Sequence, residues 1–337
     1  MHDAPSPEQG RDRHPAAGAP ALSVILVTPD HFATIRTTVR HLRAQTIGDR
    51  LELLIVAPSI AALAAPPGEL EGFARCAVIE VGTITRIARA KLPAVRQATA
   101  PVVAFAEDHC FPAPTWAAAL VAAHGAEWAA VGPAILNGNP GTRLSQAAFL
   151  LHWLQWAAPR QPGEMQYLPW HNTSYKRDVL LALGDRLPEL LASEPSLQDE
   201  LRANGQRLYL EAAARTAHVN VSRLTPWLGQ GYWGGRLYGA LRSARWPVGQ
   251  RLLRAAAAPL VPVVRLSRML RTIRRSPELY GLLPGVLPAV MLGLIVHAVG
   301  ECTGYLAGVG SSEERYSTFE MGRARHLAAS DRSAVAA

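Results

Sequence analysis

The chain has 337 residues, 49% of them hydrophobic and 18% charged, with a formal net charge of +8 that comes mainly from arginine. A chain of this length and apolar content can bury a sizeable core, which excludes a disordered polymer and leaves room for one large or two modest domains. Only three cysteines occur, Cys76, Cys110 and Cys302, with no CxxC pair. That excludes a disulfide framework and a structural zinc site, and it fits a reducing compartment.

Residues 1–20 are rich in Pro, Ala, Gly and charge and lack the apolar run of a signal peptide, so they are expected as a disordered tail on a cytoplasmic protein. Leu22-Ser23-Val24-Ile25-Leu26-Val27-Thr28 is a strand signal closed by Pro29-Asp30, and residues 32–45 carry apolar residues at helical intervals. Strand signals recur over 51–57, 76–81, 102–106 and 127–136, with a helix over 85–98. Helices are expected over 143–156, 176–183 and 187–203, and a short extended piece over 207–210. Strands alternating with helices predict an α/β fold with a mostly parallel sheet and helices on both faces.

Chemistry is expected where the fourth strand stops. Val102-Val103-Ala104-Phe105-Ala106 runs straight into Glu107-Asp108-His109, followed by Pro112, Pro114 and Trp116. In an open α/β sheet, ligands bind outside the carboxyl ends of the strands, so these three groups fall where a substrate would. The plain alternative is a solvated turn that caps the following helix.

After Val221 the character changes. Residues 227–245 are rich in Gly, aromatic residues and Arg. Residues 250–275 form a basic amphipathic pattern with Arg265, Arg268, Arg271 and Arg275 on one stripe. Such a helix suits an anionic membrane surface. Residues 279–300 then contain no charge and are about long enough for one bilayer crossing, while Pro284 and Pro288 argue equally for a kinked or re-entrant segment. If the segment spans, the arginines before it keep that end cytoplasmic. The expected organisation is a tail over 1–20, an α/β domain over 21–225, a basic amphipathic region over 226–276, an apolar membrane-associated segment over 277–310 and a flexible tail over 311–337.

The order of these signals, together with Trp170-His171-Asn172-Thr173-Ser174-Tyr175-Lys176 and the stretch from Ser193-Glu194 to Gly205, resembles the family-two glycosyltransferases, inverting nucleotide-sugar enzymes of the GT-A fold. The likeness covers about residues 20–225. It implies that Thr28, Glu107 and Asp108 meet the donor, and that Glu107, Asp108, His109 and the later His218 hold a divalent metal, Mn2+ or Mg2+. It further implies that Glu194 is the base and that Asn172 and Lys176 meet the acceptor. His109 stands where the family has an aspartate, Ser193 replaces an acidic neighbour of the base, and Ala57-Pro58-Ser59 replaces an acidic pair after the second strand.

The implied partners are a nucleotide-sugar donor, a glycan or lipid-linked acceptor such as a cell-envelope polysaccharide intermediate, and membrane lipids on the cytoplasmic side. Two other readings use the same residues: a nucleotidyltransferase, and a catalytically silent protein that binds a membrane surface. Nucleic acid is not an expected partner, because the arginine-rich rear carries no recognisable module and is too apolar on its other side.

Overall fold

The computed structural model describes residues 18–85, 87–191 and 194–336. The first half reads β1 (Leu22–Val27), α1 (Phe32–Arg43), β2 (Leu51–Ala57), α2 (Ile60–Leu63), β3 (Arg75–Glu80), α3 (Ile87–Gln97) and β4 (Val102–Ala106). These four strands pair in parallel in the order β3-β2-β1-β4. Every residue of β1, β2 and β4 is buried, which is why they appear in the sequence as unbroken apolar runs and do not alternate. One face packs Leu22, Val24 and Leu26 against Phe32 and Ile35 of α1, and the other packs Ile25 and Phe105 with Ala94 and Val95 of α3.

The chain continues through β5 (Cys110–Pro112), α4 (Trp116–Ala123), β6 (Ala130–Asn137), α5 (Arg143–His152), β7 (Gly163–Glu164), β8 (Ser174–Lys176), α6 (Arg177–Leu181), α7 (Leu187–Leu190), α8 (Glu194–Ala203) and β9 (Leu208–His218). The sheet extends as β4-β8-β6-β9-β5, with β8 antiparallel between β4 and β6, and β5 antiparallel to β9. The α/β expectation with a mostly parallel sheet holds. Two elements differ from it. The extended piece expected over 207–210 is the start of β9, whose Ala212-Ala213-Ala214 run has no strand signal of its own. β9 pairs with β6 on either side of this run, from Leu208 to Glu211 and from Arg215 to His218, and the run itself is the bulge opposite the Pro133–Ala134 step. The helix expected over 187–203 is divided into α7 and α8, with Pro195 in the first turn of α8, where a missing N–H costs nothing.

The rear forms a helical layer of α9 (Leu224–Ser243), α10 (Val248–Ala256), α11 (Val261–Ile273), α12 (Pro277–Ala307), α13 (Ser312–Glu320) and α14 (Ala329–Ala336). α12 is one unbroken helix that contains Pro284 and Pro288, and it is long and apolar enough to cross a membrane, with a mean hydropathy of 2.1 over its best window. Leu287, Leu292, Ile295 and Val299 of α12 are exposed, as are Leu252 and Leu253 of α10 and Val263 and Val264 of α11. This layer therefore presents an apolar, arginine-edged surface. Its inner side, including Val286 and Val290, joins the same core as Phe149 and Trp153, so sheet and helical layer pack as one body.

α9 and α12 cross at glycines spaced four apart, Gly235 and Gly239 on one helix and Gly300 and Gly304 on the other. A Cβ at Gly235 or Gly300 would run into the opposing backbone, at His297 and at Tyr232. Small residues at this spacing allow helix backbones to touch. Gly300→Val is expected to destabilise the protein by about 1–3 kcal/mol through overpacking. A thermal melt in detergent checks this, and an unchanged Tm would show that the crossing is loose.

The segment 311–337, expected as a flexible tail, is a correction. It forms α13, a 3-10 turn over Arg323–His326 and α14, with Arg323 and Asp331 buried. The Asp331 carboxylate accepts from Asn139 Nδ2 and Thr142 Oγ1, both at 3.1 Å, and Ser222 Oγ accepts from the Ala328 amide at 2.9 Å. Partners this distant along the chain leave no local pattern to read.

Candidate metal and donor site

The acidic turn is assembled by strand pairing. β4 ends at Ala106, the chain turns through Glu107-Asp108-His109, and β5 then pairs Cys110 with His218 at the end of β9. The Val219 amide donates to the His109 carbonyl at 2.9 Å, which holds the two histidines side by side. The Trp170–Tyr175 stretch lies along β4, with the Asn172 amide donating to the Phe105 carbonyl at 2.9 Å, and this places His171 over the same point. Asn172 takes a left-handed φ of 55°, which asparagine tolerates better than most residues. Its side-chain amide donates to Cys110 O at 2.9 Å and to Thr216 Oγ1 at 2.6 Å, clasping the turn to β9.

The result is a cluster of three buried imidazoles, His109, His171 and His218, adjoined by Glu107 and Glu320. The ligand atoms of each subset, the three histidines and Glu107-His109-His171-Glu320, lie within 4.8 Å of one another. The rings of His171 and His218 stack at 5.0 Å, His109 meets both edge-on, and Trp153 closes the apolar side at 4.3 Å from the His218 ring. Glu107 Oε2 lies 2.6 Å from His171 Nδ1 and 3.3 Å from His109 Nε2. His109 Nδ1 sits 2.6 Å from Asp108 Oδ1, and its Nε2 faces Arg323 Nη2 at 2.9 Å. Because a guanidinium only donates, the network assigns the His109 proton to Nδ1. Arg323 also bonds Glu320 Oε2 at 2.8 Å.

The electrostatics follow from this crowding. Burial would raise the Glu107 carboxyl, but the charge and hydrogen bond of His171, with His109 and Lys91, hold it at about 2. Burial would raise Glu320 as well, but Arg323 together with His109 and His171 keeps it below the usual carboxylate range. Burial, followed by the charges of His171, His109 and Arg323, keeps His218 well below the ordinary histidine value. His218 Nδ1 reaches Asn220 Oδ1 at 3.1 Å, which leaves a buried Nε2 with no hydrogen-bond partner among the described residues. This neutral, unpartnered nitrogen is what a metal ligand requires.

His218 carries a stability consequence. A histidine depressed in the folded state binds its proton more readily when unfolded, so its contribution is present above about pH 6.5 and is lost as pH falls below that value. With chelator present, His218→Asn should remove up to about 1.4 kcal/mol of destabilisation per pH unit on the acid side. Melts at pH 7.5 and 5 check this, and parallel curves for the two proteins would contradict it.

A small cavity of about 30 Å³ adjoins the cluster, lined by Thr28, Ile87, Lys91, Glu107, Asp108, Glu320 and Met321. The structure thus brings together Thr28, Glu107, Asp108, His109 and His218. Asp108 stands one step back from the cluster, orienting His109 and accepting from the Gly322 amide at 3.3 Å. Asn172 is adjacent but fully buried. Lys176 is not brought in: it pairs with Val102 at the opposite end of β4, and its Nζ donates to Ala126 O at 2.9 Å. Glu194 opens α8, but its side chain lies outside the described residues. Sequence reasoning missed His171, Lys91, Glu320 and Arg323. His171 stood in a stretch already singled out, beside Asn172, and a histidine next to a clasp residue was the available signal. For Glu320 and Arg323 there was none.

No family model matches the chain, and no curated protein matches it. Among solved structures, the chain is similar to GalNAc-T7 with UDP, GalNAc and Mn2+, at 15% identity and a TM-score of 0.44, over 59% of this chain and 44% of that one. It is also similar to the mannosyltransferase PcManGT from Pyrobaculum calidifontis in complex with GDP-Man and Mn2+, at 17% identity and a TM-score of 0.44, over 94% of this chain and 83% of that one. The chain spans less than half the length of the first of these.

Proposed function

We propose that the protein is a divalent-metal-dependent glycosyltransferase of the inverting family-two type, moving a sugar from a nucleoside-diphosphate donor to a glycan or lipid-linked acceptor at the cytoplasmic face of a membrane. The observation that carries this reading is two overlapping sets of ligand atoms past the carboxyl end of β4, His109-His171-His218 and Glu107-His109-His171-Glu320, beside a pocket lined by Thr28 and Lys91. The donor set fits a divalent cation: neutral imidazoles and ionised carboxylates together suit manganese-like ions better than magnesium. When bound, the cation would offset the charge that grows on a departing diphosphate. Glu107, His109, His171, His218 and Glu320 would hold it; Asp108 keeps His109 in the tautomer whose Nε2 carries no proton, and Arg323 must leave that nitrogen before it can ligate.

The remaining roles belong to the chain's own groups. Lys91 places an ammonium in the donor pocket, and Arg323 places a guanidinium beside Glu320, so both can meet phosphate oxygens. Glu194 is the proposed base, taking the proton of the attacking hydroxyl. Asn172 fixes the floor of the acceptor side, while the position of Lys176 makes it a surface residue. A nucleotide sugar needs a site of roughly 300–1,000 Å³, far more than the 30 Å³ here, so donor binding requires Met321 to withdraw from the pocket. The apolar face of α10, α11 and α12 would seat the protein on the membrane, with the arginines at anionic headgroups.

The test is turnover of a panel of nucleoside-diphosphate sugars with Mn2+ and with EDTA, using the wild type and a Glu107→Ala/His109→Ala variant. The expected result is release of free nucleoside diphosphate, dependent on Mn2+ and lost in the variant. Equal residual turnover in both proteins sinks the site assignment, and release of pyrophosphate from a nucleoside triphosphate would make the protein a nucleotidyltransferase instead. One observation favours the catalytically silent reading: Arg323 sits among the ligand atoms, where its charge opposes a cation. Calorimetric titration that finds no binding of any sugar nucleotide, with or without Mn2+, would support that reading.

A further inference from the structure

A second cavity lies outside the histidine cluster. It has a volume of about 540 Å³, lies between α5, α9, α11 and α12, and has walls of two kinds. Leu151, Trp227, Met269 and Leu294 make one part apolar, while Arg265, Arg268 and His297 line the other. Arg265 is tied internally, with Nη2 3.1 Å from the buried Glu301 carboxylate and Nη1 3.0 Å from His297 Nδ1. Arg268, one turn further along α11, has no ion-pair partner among the described residues. The cavity therefore carries at its open rim one solvent-exposed guanidinium without an ion-pair partner among the described residues, and a further one that is neutralised and fixed. Around it, Val263 and Val264 of α11 and Leu292 and Ile295 of α12 are exposed, so apolar surface continues from the cavity across the layer.

His152 joins this cavity to the cluster. It lines the cavity wall. Its chain neighbour Trp153 packs on His171 and His218.

We propose that this cavity binds the phosphate end of a single-chain lipid-linked acceptor, with its anionic head on Arg268 and Arg265 and its apolar chain along Trp227, Met269 and Leu294 and out over the exposed face of α11 and α12. The word acceptor rests on the proposed transferase reading, but binding does not. An anion alone would leave the apolar wall unused, and a neutral lipid would leave Arg268 without a counter-charge. Only an amphiphile with an anionic head satisfies both. One compartment of this size suits the head and first units of a single chain, within the roughly 300–1,000 Å³ of small-ligand sites.

The experiment uses the full chain in uncharged detergent, with neither nucleotide sugar nor metal, and titrates farnesyl phosphate, farnesol and inorganic phosphate by calorimetry. Farnesyl phosphate is expected to bind at least about tenfold more tightly than either of the others. Arg268→Ala should weaken it by about tenfold or more, the usual effect of losing a hydrogen bond to a charged group. Thr272→Trp, which fills the cavity from its wall, should abolish binding while leaving the melt intact. Inorganic phosphate binding as tightly as farnesyl phosphate, or affinity unchanged in either variant, overturns the proposal. So does displacement of farnesyl phosphate by an equal concentration of dioleoyl phosphatidic acid, which would make the cavity a seat for bulk membrane lipid. Because no donor is present, failure here leaves the metal-dependent turnover test standing, and the converse also holds.

Discussion

His171→Ala is expected to lower the affinity for Mn2+ by about 100-fold or more and to abolish metal-dependent turnover of the donor. The reasoning is one of donor atoms. His171 bridges the two halves of the cluster, 2.6 Å from Glu107 Oε2 and stacked on His218, so its removal takes away a nitrogen and also the partner that keeps Glu107 strongly acidic. Losing even an outer-sphere partner of a metal ligand commonly costs 10–100-fold, and an inner ligand costs at least as much. The measurement is Mn2+ titration followed by electron paramagnetic resonance, alongside turnover at saturating metal. If His171→Ala binds Mn2+ as the wild type does while His109→Ala does not, His171 serves packing alone.

Arg323→Ala should separate two quantities that a merely structural residue would move together. Its guanidinium lies 2.9 Å from His109 Nε2, so removing it frees a ligand atom and deletes a like charge, and Mn2+ affinity should rise. The same group is the strongest positive charge beside Glu320 at the donor pocket. If it stabilises the leaving diphosphate, kcat should fall by about 10²–10³, the scale for losing one preorganised donor to a developing anion. Tighter metal with slower turnover is therefore the expected pair. Tighter metal with faster turnover would instead mark Arg323 as a plug that holds the site closed. Loss of both would mean that the turn over Arg323–His326 needs this residue to form at all.

Both variants concern residues that the chain order hides. Glu107, Asp108 and His109 could be found because a buried strand that stops at three polar groups leaves a mark in a window of a few residues. His218 could be placed only through the resemblance, which puts a ligand histidine late in the domain. Lys176 could not be placed correctly: in the sequence it follows Asn172 by four residues, yet β8 carries it along β4 to the far end of the sheet. Spacing along a strand says how far a residue travels, and only the direction of pairing says toward which end.

The rear of the chain shows the same division. Its amphipathic and apolar patterns announced helices and an exposed apolar face, since burial on one side and exposure on the other leave a periodic trace in any single helix. They did not announce that Arg265 would be tied to Glu301, that a cavity would open between α5 and α12, or that residues 311–337 would fold back over the metal cluster.

By itself, then, the sequence determined the buried strands β1, β2 and β4 with the longer helices, where β4 ends in acid, and that the rear carries an apolar face, because each of these is written in the periodicity of neighbouring residues. Only the tertiary structure decided which histidines meet, that Glu320 and Arg323 complete the site, and where Lys176 stands. Those facts depend on strand pairing and on contacts across as many as 214 positions of chain, for instance Asp108 with Gly322 and His109 with Arg323, and no local pattern encodes them.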